Sequence, residues 1–219
     1  CEAAPRRPRR TRRVTEQERA AWFASLHAGV RASRLAEPAR VRPGGRGGAQ
    51  RWEQARRRIA DAVPRGGDVM DVGCGDGLLL EIVVAACADR GLVVVPHGID
   101  FVAELVELAR RRHEAHARNF EVANAWTWVP RRRYDVVRVG VECVPEDDRA
   151  PLLRRLFERA LVPGGRLIAC HYVGRGERPV DVASELRGAG LLSSGAGAAP
   201  GLMIAWSDSA PRPARASRG

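Results

Sequence analysis

Apolar runs alternate with helical segments along the chain from residue 68 onward. The runs are rich in Val, Ile and Leu, and they read DVMDVG, LVVVPHGID, NFEVAN, YDVVRVG and GRLIACHYV. Apolar residues at helical spacing lie between them, at 77–90, 102–113 and 147–161. This alternation predicts a doubly wound α/β fold, in which helices cover both faces of a mostly parallel sheet. In such sheets, ligands lie beyond the carboxyl ends of the strands.

The N-terminal part has a helical pattern of its own. Residues 15–35 (TEQERAAWFASLHAGVRASRL) have helical spacing, with Thr15 as the N-cap and Glu18 three positions later. Trp22, Phe23 and Leu26 share one side of this segment, which we interpret as a cap helix. The next stretch, AEPARVRPGGRGGA, is rich in Pro, Gly and Arg and predicts a linker. A second helix is expected near 50–63.

Two features modify the predicted sheet. Pro96 lies inside the second apolar run and lacks a ladder donor, so we expect that strand to be regular only from His97 to Asp100. The stretch SSGAGAAPGLMIAWSDS is expected to supply an antiparallel C-terminal edge hairpin, although its first half is rich in Gly and Ala. The chain has 219 residues, of which 45% are apolar, and this suits one α/β domain with appended segments.

The net charge of +11 is concentrated at the two ends. Residues 1–19 carry seven arginines against three glutamates, and residues 210–219 carry three arginines. All 37 basic residues are arginine, which indicates a compositional bias more simply than a nucleic-acid surface. The predicted organisation is a disordered tail at 1–13, a helical cap and linker at 14–49, a ligand-binding domain at 50–209 and a disordered tail at 210–219.

The five cysteines include no C-x-x-C pair and no His-paired metal spacing. This pattern is typical of a reduced, cytoplasmic chain, and it does not indicate a metal site. No apolar run approaches the length of a membrane span, and the Arg-rich start is followed by TEQERAAW rather than a signal core. We therefore expect a soluble, unexported protein.

Three glycines follow the first apolar run at alternate positions, Gly73, Gly75 and Gly77, and Asp71 precedes them. They predict a tight turn at which a ligand approaches the main chain, although a plain connecting turn also fits. The dinucleotide fingerprint requires a glycine where Leu78 stands, and a phosphate loop requires a lysine, which the chain lacks. The favoured ligand is therefore a nucleoside that carries no phosphate.

Polar residues follow the next two apolar runs. Asp100 is placed to accept hydrogen bonds from both hydroxyls of a ribose, and its alternative role is an N-cap for the helix that begins near Phe101. Asn124 is placed to accept from an adenine amino group, while the Ala125 amide donates to a ring nitrogen. The alternative for Asn124 is an ordinary turn residue.

Five stretches follow one another in order along the chain: DVGCGDG at 71–77, HGID at 97–100, NAW at 124–126, YDVVRVGVECVPEDDR at 134–149 and LVPGGRLIA at 161–169. Together they resemble the class I, Rossmann-like S-adenosylmethionine-dependent methyltransferases. The resemblance implies a Rossmann-like sheet with an antiparallel C-terminal edge strand, and S-adenosylmethionine as the cofactor of the domain at 50–209. A cofactor with a positive sulfonium and no phosphate suits a glycine turn that is bordered by acids.

The same resemblance implies where the cofactor binds. The glycine loop passes its methionine part, Asp71 reaches its amino group and Asp100 holds its ribose. Phe101 and Asn124 flank the adenine, and Ala125 and Gly140 also contact the cofactor. Asn124 departs from the family, in which an aspartate is more usual at this position. The stretch VGVECVP lacks the Asn-Pro-Pro-aromatic pattern of enzymes that methylate the amino groups of bases, which argues against such substrates.

Candidate catalytic and substrate residues lie after the fourth and fifth runs and in the cap. Attack on a sulfonium methyl is an in-line displacement, which needs a base only if the acceptor must lose a proton. Glu142 and His171 are the candidate bases, with surface and core roles as the alternatives. Trp22, His27 and Tyr172 are candidates to contact the substrate, with plain packing as the alternative for the cap residues.

Three functions agree with these patterns. Because no large insertion follows the fifth run, we expect the acceptor pocket to be built from residues 14–60 and the strand-end loops, which suits a small-molecule methyltransferase. The second hypothesis is a nucleic-acid or protein methyltransferase that uses the Arg-rich tails. The third is a cofactor-binding module without catalysis.

Overall fold

The computed structural model describes residues 14–35, 48–173 and 176–211. Three predicted segments lie wholly or largely outside the described residues, namely the tails at 1–13 and 210–219 and the linker at 36–49. Within the described ranges, every helix falls short of the length and apolar character that a membrane span requires.

Helices and strands alternate through the described residues much as the sequence predicts. The helices are α1 (Glu16–Leu35), α2 (Gly48–Asp61), α3 (Leu78–Ala88), α4 (Ala103–Arg112), α5 (Glu146–Ala160) and α6 (Val182–Gly188). The strands are β1 (Gly67–Val72), β2 (Val94–Asp100), β3 (Phe120–Val122), β4 (Tyr134–Gly140), β5 (Leu161–Tyr172), β6 (Gly195–Ala199) and β7 (Leu202–Asp208). Of these elements, the short helix α6 is the one that the sequence pattern does not predict.

The strands form one sheet in the order β3-β2-β1-β4-β5-β7-β6. The pairs β1–β2, β1–β4, β2–β3 and β4–β5 are parallel. Strand β7 is antiparallel to both β5 and β6, so the expected edge hairpin is confirmed. Because the central strands are parallel, the carboxyl ends of β1, β2, β4 and β5 meet at one edge of the sheet, which we call the carboxyl edge.

Helices cover both faces of the sheet. On one face, α2, α3 and α4 contribute apolar side chains that include Ile59 and Leu80. On the other face, α5 and α6 contribute Leu156 and Leu186. Each of these four side chains is at most 1% exposed. Apolar side chains thus cover both faces of the sheet, and polar side chains can lie at the carboxyl edge.

Pro96 lies inside β2 without disrupting it, so the expectation that this strand is regular only from His97 is wrong. The pairing of β2 with β1 begins at Val94, and Pro96 lies opposite Val69. The carbonyl and the missing N–H of Pro96 face the same side of the strand, and the carbonyl accepts a hydrogen bond from Asn119 Nδ2 at 3.0 Å. The missing donor therefore faces a side where β3 has not yet begun.

The first turn of α1 forms the predicted capping box. Thr15 Oγ1 accepts a hydrogen bond from the Glu18 amide at 3.2 Å, and Glu18 Oε2 accepts one from the Thr15 amide at 3.0 Å. Two amides that the helix leaves without intrahelical partners are satisfied in this way. The start of the cap helix is therefore fixed by residues that are close in sequence.

Candidate active site

The glycine loop joins β1 to α3 in a backbone conformation that favours glycine. Gly73, Gly75 and Gly77 have φ angles of 84°, 56° and 77°. The amides of Gly73 and Cys74 donate to the Ile99 carbonyl at 2.8 and 2.9 Å. These bonds attach the loop to the end of β2, so the loop follows a defined path along the carboxyl edge.

The three loop glycines serve different purposes. A Cβ added at Gly75 would meet no heavy atom within 4 Å, and Gly75 borders a cavity. A Cβ added at Gly73 would lie 2.7 Å from Cys143 Sγ, and one at Gly77 would lie 3.0 Å from the His113 ring. Gly75 therefore keeps the cavity open, whereas the other two glycines allow close packing.

Asp100 supports the glycine loop from the end of β2. Its Oδ2 accepts a hydrogen bond from the Gly75 amide at 2.9 Å, and its Oδ1 accepts one from the Val102 amide at 2.9 Å. The residue is 6% exposed and borders the same cavity as Gly75. A carboxylate has about four lone-pair sites, so Asp100 can stabilise the loop and still accept hydrogen bonds from a ligand.

The first cavity has a volume of about 150 Å³ and lies between the glycine loop and α1. Asp100 and Phe101 border it from the carboxyl edge. Phe23, Leu26 and Val30 border it from α1. These three side chains follow helical spacing, which places them on one side of α1. The cap helix therefore closes this cavity with an apolar surface.

Two ion pairs attach α1 to the carboxyl edge. Arg19 donates to both carboxylate oxygens of Asp148, in the first turn of α5, at 2.6 and 2.9 Å. Arg31 pairs with Glu104, in the first turn of α4, at 2.6 Å. The side chains of the first pair are 17% and 6% exposed, and those of the second are 55% and 42% exposed. Because water screens exposed charges, the Arg19 end is the stronger attachment.

A buried ion pair lies beside the glycine loop. Arg138 of β4 is 5% exposed, and its Nη1 donates to Asp71 Oδ1 at 2.9 Å. Its Nε and Nη2 donate to Cys170 Sγ at 3.1 and 2.7 Å. Burial raises the pKa of the Asp71 carboxyl, and the Arg138 guanidinium opposes this rise. Arg138 is absent from the site residues predicted from the sequence, although a charged residue within the valine-rich run YDVVRVG is a signal for it.

Glu142 lies just after β4 and packs on the backbone of Gly140. A Cβ added at Gly140 would lie 2.6 Å from Glu142 Oε1. Among the described residues, no hydrogen-bond partner is present for the buried Glu142 Oε2. Burial raises the pKa of this carboxyl, and the charge of Arg138 opposes the rise. Glu142 therefore keeps its proton to a higher pH than an exposed glutamate does.

A second cavity, of about 610 Å³, adjoins the first. Glu142 and Tyr172 border both cavities, and His171 borders the second. The Nδ1 atom of His171 accepts a hydrogen bond from the Val180 amide at 3.3 Å. This bond assigns the proton of the neutral ring to Nε2.

Tyr172 contacts two guanidinium groups at the junction of the cavities. The guanidinium carbons of Arg56 and Arg138 lie 4.7 and 5.1 Å from the centre of its ring. Burial raises the pKa of the Tyr172 phenol. The phenol is therefore protonated at neutral pH, as a hydrogen-bond donor and not a base.

The structure brings together most of the residues singled out from the sequence. The first cavity is bordered by Gly73, Gly75, Asp100, Phe101, Ala125, Glu142 and Tyr172, and the second by Glu142, His171 and Tyr172. Leu26 and Val30 also line the first cavity, and neither is among the site residues predicted from the sequence. Their spacing from Phe23 is the signal that identifies them.

The other predicted site residues are absent from the borders of these two cavities: Trp22, His27, Asp71, Gly77, Asn124 and Gly140. Asn124 Oδ1 accepts a hydrogen bond from the Trp126 amide at 2.8 Å, as in a local turn. The Trp22 ring packs on Phe23 with centroids 5.0 Å apart, and the His27 ring packs on Phe101 at 5.4 Å. Both cap residues thus support lining side chains.

Comparison with known sequences finds matches to the central part of the chain. A family model described as a methyltransferase domain matches residues 69–165. Trans-aconitate 2-methyltransferase of Methylobacterium radiotolerans is 35% identical over 98 residues, which are 45% of this chain and 35% of that protein. The chain therefore spans about a third of the length of this curated relative.

Solved structures with a similar fold cover more of the chain. Magnesium protoporphyrin IX methyltransferase from Synechocystis PCC 6803, solved with bound SAM, matches with a TM-score of 0.61 and 17% identity, over 87% of this chain and 94% of that one. Burkholderia thailandensis 1,6-didemethyltoxoflavin-N1-methyltransferase, solved with 1,6-didemethyltoxoflavin and S-adenosylhomocysteine, matches with a TM-score of 0.62 and 18% identity, over 91% and 92%. At these identities the similarity concerns the fold.

The unequal ion pairs of α1 predict unequal effects when each is removed. Arg19→Ala leaves the buried Asp148 without its charged partner, so we expect amide hydrogen exchange in α1 to accelerate by about ten-fold or more. Arg31→Ala is the matched control, and its effect should be several times smaller because that pair is exposed. Mass spectrometry of hydrogen exchange measures both variants, with β4 as the internal reference. Equal acceleration in the two variants would contradict this assignment.

Glu142→Gln is expected to change the pH dependence of stability. Burial raises the folded-state pKa of Glu142 above its unfolded value of about 4.3. The contribution of this carboxyl is therefore fully present below about pH 4 and is lost as the pH rises through the folded-state pKa. Glutamine stays neutral throughout. Urea denaturation from about pH 4 upward should show that the free energy of unfolding of the wild type falls relative to that of the variant. Parallel pH profiles would refute the prediction.

Proposed function

We propose that the chain is a class I, Rossmann-like methyltransferase that transfers a methyl group from S-adenosylmethionine to a small-molecule acceptor, and the match of a methyltransferase-domain family model to residues 69–165 supports this family. The observation that carries this proposal is the glycine loop, in which Gly75 opens the main chain toward a cavity bordered by Asp100. When bound there, the cofactor supplies a sulfonium methyl group that is activated for displacement by a nucleophile.

The residues of the first cavity fit this cofactor. The space beside Gly75 is one that a Cβ would fill, so the main chain is open to a closely bound ligand. Asp100 offers carboxylate lone pairs to the ribose hydroxyls, and Phe101 offers an aromatic face to the adenine. The Ala125 amide is a donor for an adenine ring nitrogen. No phosphate needs to be accommodated, in agreement with the acids that surround the loop.

The cap helix has to move for a ligand of this size to enter. Ligand pockets are typically about 300–1,000 Å³, and the first cavity has about 150 Å³. Phe23, Leu26 and Val30 of α1 limit that volume. We therefore assign α1 the role of a lid, which moves outward to admit the cofactor and then excludes water from the reacting groups.

The second cavity is the proposed acceptor site. Its volume of about 610 Å³ is in the range of small-molecule pockets, and it meets the first cavity at Glu142 and Tyr172. Glu142 Oε2 would take the proton from an O–H or N–H acceptor as the new bond to the methyl carbon forms and the carbon–sulfur bond breaks. The raised pKa of Glu142 makes its carboxylate a stronger base than that of an exposed glutamate. His171 Nε2–H would orient the acceptor as a hydrogen-bond donor.

The relatives support a small acceptor. The matched curated protein is named for trans-aconitate, and one structural neighbour binds 1,6-didemethyltoxoflavin. Both are small molecules. The first cavity agrees with this class, because it is enclosed between α1 and the carboxyl edge. Trp22 and His27 support the lid by packing on Phe23 and Phe101.

Gly75→Val is expected to abolish binding of S-adenosylmethionine, with a loss of affinity of about 100-fold or more. The branched side chain would enter the space at the loop, and the residue also resists a positive φ. Gly91→Val is the matched control, since Gly91 has a φ of 72° and a Cβ there would also meet nothing within 4 Å, but it lies in a surface turn. Calorimetric titration should show binding retained in the control. Loss of affinity in both variants, or in neither, would contradict the role of Gly75.

The reaction itself is tested with methyl-labelled S-adenosylmethionine and a cell metabolite extract. We expect the label to appear in a small molecule, and the Glu142→Gln variant to lose at least about ten-fold in transfer rate while it keeps cofactor affinity. Glu177→Gln is the control, because Glu177 borders the same cavity from an exposed position. Label in RNA or protein would instead favour a macromolecular substrate. Cofactor binding without any transfer would favour a module that lacks catalysis.

A further inference from the structure

The buried guanidinium of Arg138 has no role in the proposed reaction. Its neighbours Val137 and Val139 in β4 are 0% exposed, and Arg138 itself is 5% exposed. Burying a charge is costly unless it is paired and hydrogen-bonded. The strand therefore carries an arginine where an aliphatic residue would be buried at a lower cost in free energy. The hydrogen-bond partners of the guanidinium show how it is held.

Three N–H groups of Arg138 are engaged by the described residues. Nη1 donates to Asp71 Oδ1 at 2.9 Å, and Nε and Nη2 donate to Cys170 Sγ at 3.1 and 2.7 Å. A guanidinium has five N–H groups, so one remains on each terminal nitrogen after these bonds. The two remaining donors lie in one plane, because the guanidinium is planar.

The first cavity lies beside Arg138. Arg138 borders the cavity together with Gly73 and Gly75, whereas Asp71 is absent from that border. Asp71 is 1% exposed, and its second oxygen has no hydrogen-bond partner among the described residues. The carboxylate therefore holds the guanidinium from the protein side, and the cation faces the space beside the glycine loop.

The other charged groups at this cavity are carboxylates. Asp100 and Glu142 border it, and burial raises the pKa of Glu142. Arg138 is the cation among the described lining residues. A ligand that carries a carboxylate beside the glycine loop would meet a bidentate cationic donor only at this position, since an arginine fork matches carboxylate geometry.

We propose that Arg138 binds the α-carboxylate of the methionine part of S-adenosylmethionine, and that Asp71 is the positioning residue that holds the guanidinium in place. The inference rests on the proposed function and adds a specificity: the site selects ligands that carry the amino-acid carboxylate over those that carry the nucleoside alone. The family resemblance predicts that Asp71 binds the amino group of the cofactor. In this proposal Asp71 instead holds Arg138, which binds the carboxylate.

A carboxylate on the methyl acceptor is the competing occupant of this fork. The second cavity, where the acceptor is proposed to bind, has Arg56 and Arg178 at its border, and Arg138 is absent from it. Arg138 lies instead with the glycine loop that passes the cofactor. The geometry thus favours the cofactor as the occupant.

Calorimetric titration of the wild-type protein provides the first test. S-adenosylmethionine and its decarboxylated analogue differ only in the α-carboxylate, and we expect the carboxylate to increase affinity by about 10- to 100-fold. Equal affinities overturn the proposal whatever the variants do. If the wild type binds neither compound, the proposed function fails together with this inference. If it binds both equally, this inference alone fails.

The Arg138→Met variant provides the second test, with S-adenosylhomocysteine and 5′-methylthioadenosine as probes. Methylthioadenosine lacks the amino-acid group, so its binding also reports that the variant is folded. We expect affinity for S-adenosylhomocysteine to fall by about 10- to 100-fold and affinity for methylthioadenosine to change by less than about three-fold. A purely structural role for Arg138 would weaken both probes equally, and that result would overturn the proposal.

Asp71→Asn tests the positioning role separately. Asparagine keeps the size of the side chain but removes the charge that holds the guanidinium. We expect this variant to lower the preference for S-adenosylhomocysteine over methylthioadenosine by a smaller factor than Arg138→Met does. An unchanged preference would remove Asp71 from the mechanism of carboxylate recognition.

Discussion

The hydrogen bond between the Gly75 amide and the Asp100 carboxylate is the contact on which the carboxyl edge depends. The path of the glycine loop is set by this bond, by the Ile99 carbonyl and by the buried side chain of Cys74. Strand pairing between β1 and β2 brings the two partners together. Asp100 holds the loop by the Gly75 amide and leaves the space beside Gly75 open. The lid and the proposed acceptor site are arranged around that space.

Charge is distributed unequally around the two cavities. Buried carboxyl groups surround the glycine loop, and Arg138 compensates part of their charge through its pair with Asp71. The buried carboxyl of Glu142 lies where the cavities meet, and burial raises its pKa. The carboxylates around the glycine loop would attract a cationic cofactor, and burial makes the Glu142 carboxylate a stronger base than an exposed glutamate. The same low-dielectric setting that strengthens these interactions makes each of them costly to leave incomplete.

The sequence predicted features that depend on neighbours along the chain. The capping box of α1 and the glycine turn are of this kind, and the order of strands and helices followed from apolar periodicity. Arg138 was missed because its partners, Asp71 and Cys170, come from different strands and meet it only through the sheet pairing. Asn124 forms a local turn, because its side-chain oxygen accepts a hydrogen bond from the Trp126 amide. Pro96 was misjudged because its effect depends on where β3 begins.

The contact between Gly73 and Cys143 joins two positions that are distant in sequence. A Cβ at Gly73 would lie 2.7 Å from Cys143 Sγ, and the thiol also reaches the Val72 carbonyl at 3.7 Å. Gly73 thus limits the size of the residue at Cys143, and Cys143 limits the size of the residue at Gly73. In evolutionary terms, the coupling runs in one direction: a larger residue at Gly73 selects for a smaller one at Cys143, whereas a larger residue at Cys143 has no compensation at Gly73, which already lacks a side chain.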